Sequence, residues 1–208
     1  MYFPWLQQHT PGMAENQITL NLNTSTIQNG ESVRTAEAKL LRTHCRVVVT
    51  VDIINATKWP MTNPRCFTHG GVIIEQPSEI SPGCKQMMVM RKRYFLPSGS
   101  YGTVSWDING KQVIVMWAAP VNFDFYPNML AVGIPDSEDS KRSEGSYTQM
   151  RYEAKPYFVR EKYVNSTRDI MRSDGDSLCV RGSMSTTHKP VIKILVYPVH
   201  QEDLARGL

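Results

Sequence analysis

The run from Val113 to Leu130 (VIVMWAAPVNFDFYPNML) constrains the fold more than any other stretch of the 208 residues. Its first half is an apolar β-type segment, entered through Asn109-Gly110, a pair suited to a two-residue hairpin turn. The run breaks at Pro120, which has no N–H to give to a sheet ladder. The second half, from Val121 to Leu130, is too crowded with large side chains for inward–outward alternation. Some of Phe123, Phe125, Tyr126, Met129 and Leu130 must therefore face outward unless a second layer covers them. Two readings stand: a buried loop cluster, or a membrane-facing surface. For the second, aromatic faces attract quaternary ammonium groups such as choline, and tyrosine suits the headgroup level.

The rest of the chain has the same β texture. Short β-branched or aromatic runs divided by turn residues predict strands over 46–54, 71–75, 84–90, 101–108, 113–117 and 191–197, with a further alternating strand at 18–23. Residues 1–16, with two prolines and a glycine, read as an arm, and 201–208 as a tail. Between them, 17–200 forms one domain without internal repeat or linker. Val33, Ala36, Leu40 and Leu41 fall at helical spacing, predicting an amphipathic helix over 32–43. Tyr147, Met150 and Arg151 predict a second helix over 147–155, ending near Pro156, after a polar loop over 135–146. The expected fold is an all-β sandwich flanked by two short α-helices.

Composition narrows the function. The net charge of +4 is mild and dispersed, except for the basic run Arg91-Lys92-Arg93 between Met90 and Tyr94, so no nucleic-acid partner is expected. An anionic or zwitterionic membrane is compatible with that charge. The four cysteines are widely spaced, without a C-x-x-C pair, and the default is free buried thiols with no metal site. The N-terminus has no basic n-region and no long apolar run, so no signal peptide is visible, and no window reads as a membrane-spanning helix. The sequons at Asn23, Asn55 and Asn165 carry no weight without a secretion signal.

No catalytic residue is assigned and no cofactor is expected. The five histidines sit in unlike contexts, with no metalloprotease or nucleophile-elbow motif. Pro97-Ser-Gly99-Ser-Tyr-Gly102 lacks the lysine of a phosphate loop, and Ser173-Asp-Gly-Asp176 lacks the acidic spacing of a calcium loop; both read as turns. The remaining constellation is aromatic: Tyr126, Tyr147, Tyr152 and Tyr157 join Phe123 and Phe125. Tyrosines at this spacing are either half-buried packing residues or the walls of a choline cage with a phosphate partner nearby.

Phe123-Asp-Phe125-Tyr126-Pro-Asn128-Met129-Leu130 after Pro120 carries a family likeness, together with Asp52–Trp59, Tyr147–Tyr157 and Arg181–His188. Over roughly Leu40 to Val199 the chain resembles the actinoporins, the pore-forming cytolysins of sea anemones, and their actinoporin-like relatives in other animals. The resemblance implies a secreted or soluble protein that becomes membrane-associated. It would bind phosphocholine lipids, sphingomyelin above all, and oligomerise there before an N-terminal helix inserts. By position, the headgroup site implied is Thr68, Ser100, Ala118, Pro120, Tyr126, Tyr147, Arg151 and Tyr152, with Phe123, Phe125, Met129 and Leu130 as the membrane-contact loop.

The departures from the family are chemical. Ala118 stands where the family has a serine hydroxyl, and Arg151 where it has a fourth tyrosine. Phe125 and Met129 stand where it has exposed tryptophans, and its Arg-Gly-Asp turn is unmatched. The helix carrying Val33, Ala36, Leu40 and Leu41 would be the inserting element, yet about 12 residues span only ~18 Å of a ~30 Å hydrocarbon core. Lysis would need residues 18–29 to join the helix, so lipid binding is the better supported half of the reading. The alternative is a non-lytic lipid- or carbohydrate-binding, lectin-like module.

Overall fold

The computed structural model describes residues 26–122, 125–135 and 146–208; the arm at 1–16, the strand expected at 18–23, and Phe123 lie outside them. Two sheets face each other. The first runs β1 (Gln28–Asn29), β5 (Cys84–Arg91), β2 (Val48–Asn55), β12 (Val191–Pro198), β11 (Leu178–Met184) and β10 (Ile170–Ser173), with β4 (Val72–Glu75) also paired to β5. The second runs β3 (Thr62–Gly70), β6 (Ser100–Ile108), β7 (Lys111–Ala119), β8 (Asn128–Gly133) and β9 (Phe158–Tyr163). The β12–β2 and β1–β5 pairs are parallel and the rest antiparallel. The expected helix-flanked β-sandwich is the observed fold.

The inner faces supply one core. Val49, Val51 and Ile53 of β2 meet Val104 and Trp106 of β6, Val115 and Trp117 of β7, and Leu130 and Val132 of β8. Gly182 of β11 packs tightly against the facing sheet: a β-carbon there would lie 2.8 Å from Val132 Cγ1, so a larger residue would push the sheets apart.

Each sheet carries one helix on its outer face. α1 (Glu31–Leu41) packs Val33 and Ala36 against Val48, Met87 and Val89. α2 (Ser146–Tyr152) packs Tyr147 and Met150 against Ile114, Met116, Ala118, Met129 and Ala131. Central strands are thereby buried on both faces, which is why β7 reads as an unbroken apolar run rather than an alternation.

Several expectations need correction. α1 ends at Leu41 and α2 at Tyr152, both earlier than expected. Leu41 is 85% exposed, because it lies one residue, or about 100° of helical rotation, beyond Leu40 at the edge of the docked face. Met129 and Leu130 are not loop residues: they lie in β8 and are buried, one toward α2 and the other toward the sandwich core. Of the strands not predicted, β1, β3, β8, β9, β10 and β11, four (β1, β3, β9 and β10) are sheet edges, while β8 and β11 are interior. Edge strands tolerate Pro64 in β3 and the charged Arg160-Glu161-Lys162 in β9, which blur the period-two signal.

Candidate functional site

The site lies at one end of the five-stranded sheet. β7 stops at Ala119, and the chain returns to β8 through 120–127. The far end of this loop is held by Asn128, wholly buried, whose Nδ2 donates to the carbonyls of Ser185 (2.9 Å) and Thr187 (3.0 Å). Within the loop, the Tyr126 N–H donates to the Asn122 carbonyl at 3.3 Å. Anchored at its base, the loop projects Phe125 and Tyr126, which are 75% and 61% exposed.

Below Tyr126 opens a cavity of about 430 Å³. Loop residues Pro120, Phe125 and Tyr126 form one wall, and Tyr147, Arg151 and Tyr152 of α2 the other. Ala118 of β7 and Tyr101 of β6 lie beneath; the two are register partners and so share a sheet face. Pro97 and Gly99 complete the rim. Gly99 is required by the close approach of the two strand ends, since a β-carbon would fall 2.0 Å from the Ala119 carbonyl oxygen.

The rings are stacked before any ligand arrives. Tyr147 stacks on His69 at 4.7 Å between centroids and lies 5.6 Å from the Tyr101 ring. Burial pushes the Tyr147 phenol up to about 12, with Arg151 pulling the other way, so it stays a neutral hydroxyl throughout the physiological range. The Arg151 guanidinium sits between two rings, 5.9 Å from the centroid of Tyr147 and 5.4 Å from that of Tyr152. Its Nε donates to the Tyr152 hydroxyl at 3.1 Å. The protein's own cation thus occupies the ring faces that a quaternary ammonium would use.

Six of the eight headgroup residues expected from the resemblance converge here: Ala118, Pro120, Tyr126, Tyr147, Arg151 and Tyr152. Thr68 and Ser100 do not. Thr68 is exposed on the edge strand β3 and is not among the lining residues. Ser100 is fully buried and its hydroxyl accepts the Trp117 indole N–H at 3.3 Å, on the inward face of β6. Strand alternation puts the next residue, Tyr101, into the cavity instead; period two separates the two faces of β6 without saying which of them meets the pocket. Of the expected contact loop, Phe125 is exposed, Met129 and Leu130 are buried, and Phe123 is outside the described residues.

Phe125 also borders a second hollow of about 410 Å³, with Pro127, Tyr163, Val164, Thr186 and His188. Among the described residues, no group of three His, Cys, Asp or Glu side chains is placed to hold a metal ion. No helix among them is long and apolar enough to cross a membrane.

A two-sheet sandwich with a helix on each outer face and an aromatic pocket whose described lining holds one cation, Arg151, defines the structural class. Comparison with known proteins gives the family. Echotoxin-2 of Monoplex parthenopeus is 32% identical over 195 residues, covering 90% of this chain and 70% of that protein. Tereporin-Ca1 of Terebra anilis is 26% identical over 166 residues, 75% of this chain and 87% of its own. Among solved structures, the lipid binding protein Nakanori superposes with a TM-score of 0.58 at 17% identity, over 79% of this chain and 77% of that one, a likeness of fold. No family model matches the chain. The chain belongs to the actinoporin-like family, whose gastropod toxins it matches.

Proposed function

We propose that the protein is a pore-forming, cytolysin-like protein that takes a phosphocholine-type headgroup, such as that of sphingomyelin, into the Tyr101–Tyr126–Tyr147–Tyr152 pocket. The observation that carries the reading is the convergence of four tyrosines and one arginine, from three separate elements, beside the exposed Phe125. Arg151 is the phosphate partner: a guanidinium binds phosphate through charge-assisted, often bidentate hydrogen bonds. As it turns toward phosphate it frees the faces of Tyr147 and Tyr152 for the choline ammonium, each ring contributing about 0.5–2 kcal/mol. Ala118 supplies no hydroxyl, so phosphate recognition rests more heavily on Arg151. A headgroup is favoured over a sugar by the lining, which among the described residues has five aromatic rings and a cation, and no carboxylate to accept from sugar hydroxyls.

In this reading Phe125 and Tyr126 enter the interface, copies of the chain assemble there, and α1 leaves the sandwich to insert. Leaving costs the burial of Val33 and Ala36, the 2.6 Å Lys39–Glu75 ion pair, and the bond by which the Met87 N–H donates to Ser32 Oγ at 2.9 Å. An 11-residue helix measures roughly 17 Å, so a span also needs residues before α1, and the β1–β5 pairing must open. Calcein-loaded phosphatidylcholine vesicles with and without sphingomyelin test the whole scheme. Release is expected with sphingomyelin, and Tyr152→Ala should weaken it; vesicles that bind the protein but never leak would reduce the function to lipid binding alone.

A further inference from the structure

The basic run Arg91-Lys92-Arg93 leads out of β5 into the turn Tyr94-Phe95-Leu96, a segment the pocket does not use. Its three apolar side chains are exposed by 54%, 103% and 47%. Phe95 also holds φ at +60°, a left-handed conformation rare for a bulky residue, and so presents its ring to solvent. The Arg91 guanidinium lies 3.9 Å from the Tyr94 ring centroid, and Arg93 Nε donates to the Gly71 carbonyl at 3.4 Å, bracing the turn from behind. This turn and the Phe125 loop leave the same end of the sandwich, since Ser100 at the start of β6 pairs with Ala119 at the end of β7. Pro97 and Gly99, just past the turn, share the pocket rim with Phe125 and Tyr126.

We infer that residues 91–96 form a second membrane finger whose Phe95 and Leu96 enter the bilayer interface while Lys92 and Arg93 contact anionic phospholipid. Apolar tips backed by cations match an interface of that make-up, with acyl chains beneath a negatively charged headgroup layer. Two fingers flanking one pocket set the mouth of the pocket at headgroup depth. This inference rests on the headgroup reading for the orientation of the molecule, and the test separates the two.

Binding is measured by co-sedimentation with phosphatidylcholine–sphingomyelin vesicles, with and without phosphatidylserine, and pocket occupancy by calorimetry with soluble phosphocholine. Phe95→Ser combined with Leu96→Ser should weaken binding to both vesicles about tenfold while leaving phosphocholine binding unchanged. Lys92→Gln combined with Arg93→Gln should abolish the gain from phosphatidylserine, about fivefold per charge at low salt. Phe95→Trp, which keeps the apolar area, should shift its emission to the blue on vesicles. Wild-type vesicle binding by both double variants, or no emission shift, overturns the finger. Failure of the wild type to bind phosphocholine overturns the pocket reading instead, and the finger is then decided on phosphatidylserine vesicles alone.

Discussion

At the residue scale, neighbours in one motif have opposite fates. Phe125 meets water, whereas Met129 and Leu130, four and five positions on, fill opposite faces of β8. Phe125→Ala should leave the melting temperature unchanged and weaken vesicle partitioning. Leu130→Ala should cost about 2–5 kcal/mol of stability by opening a cavity between the sheets, measured by urea unfolding; a small loss there would mean that the core closes around the gap. Arg151 is the other decisive residue. Arg151→Gln should lower phosphocholine affinity without changing stability, and soluble tetramethylammonium should bind the variant at least as well as the wild type, because the competing cation has left the rings. A parallel loss of both ligands would place Arg151 in the architecture of the pocket rather than in phosphate recognition.

At the scale of elements, α1 and the β10–β11 turn differ in what holds them. α1 has no side-chain N-cap and is held by one apolar stripe plus Ser32–Gln86 and Lys39–Glu75 contacts, so it is stabilised mainly by docking. An engineered disulfide joining α1 to β5 should abolish vesicle leakage, spare lipid binding, and release leakage again on reduction. Leakage that ignores the tether would exclude α1 as the moving part. The turn after β10 is held by charge. Burial works to raise the Asp174 carboxyl, but Lys111, 2.5 Å away, and the N–H groups of Leu178, Asp176 and Ser177 outweigh it and hold it down to about 2, from an ordinary 3.8. A depressed folded value contributes stability that is complete above the ordinary value and lost as pH falls through the folded one. The wild type should therefore lose stability between about pH 4 and 2 more steeply than Asp174→Asn, as monitored by acid unfolding; parallel curves would remove this turn from the acid response.

At the scale of the whole molecule, the end of the sandwich that carries the pocket combines exposed rings, one buried tyrosine, Arg151 and the neighbouring basic turn at 91–93. The crowding of large side chains over 121–130 and the spacing of Tyr147 and Tyr152 offer only local hints of this. The chain's own order of residues determined the sandwich, because Asn109-Gly110 and the apolar runs at 113–119 and 191–198 are local signals for turns and buried strands. It also determined the two helices to within a few residues and placed Tyr126, Tyr147, Arg151 and Tyr152 as candidates, since their spacing is a property of a single turn or helix. Which face of β6 meets the pocket, that Ser100 turns inward while Tyr101 lines the cavity, and that β8 claims Met129 and Leu130 were decided only by the tertiary structure. The physical reason is that burial depends on what covers a strand. α2, a separate element that follows β8, lies on the outer face of β7 and β8, so large apolar residues there have a partner that periodicity within the strand cannot reveal.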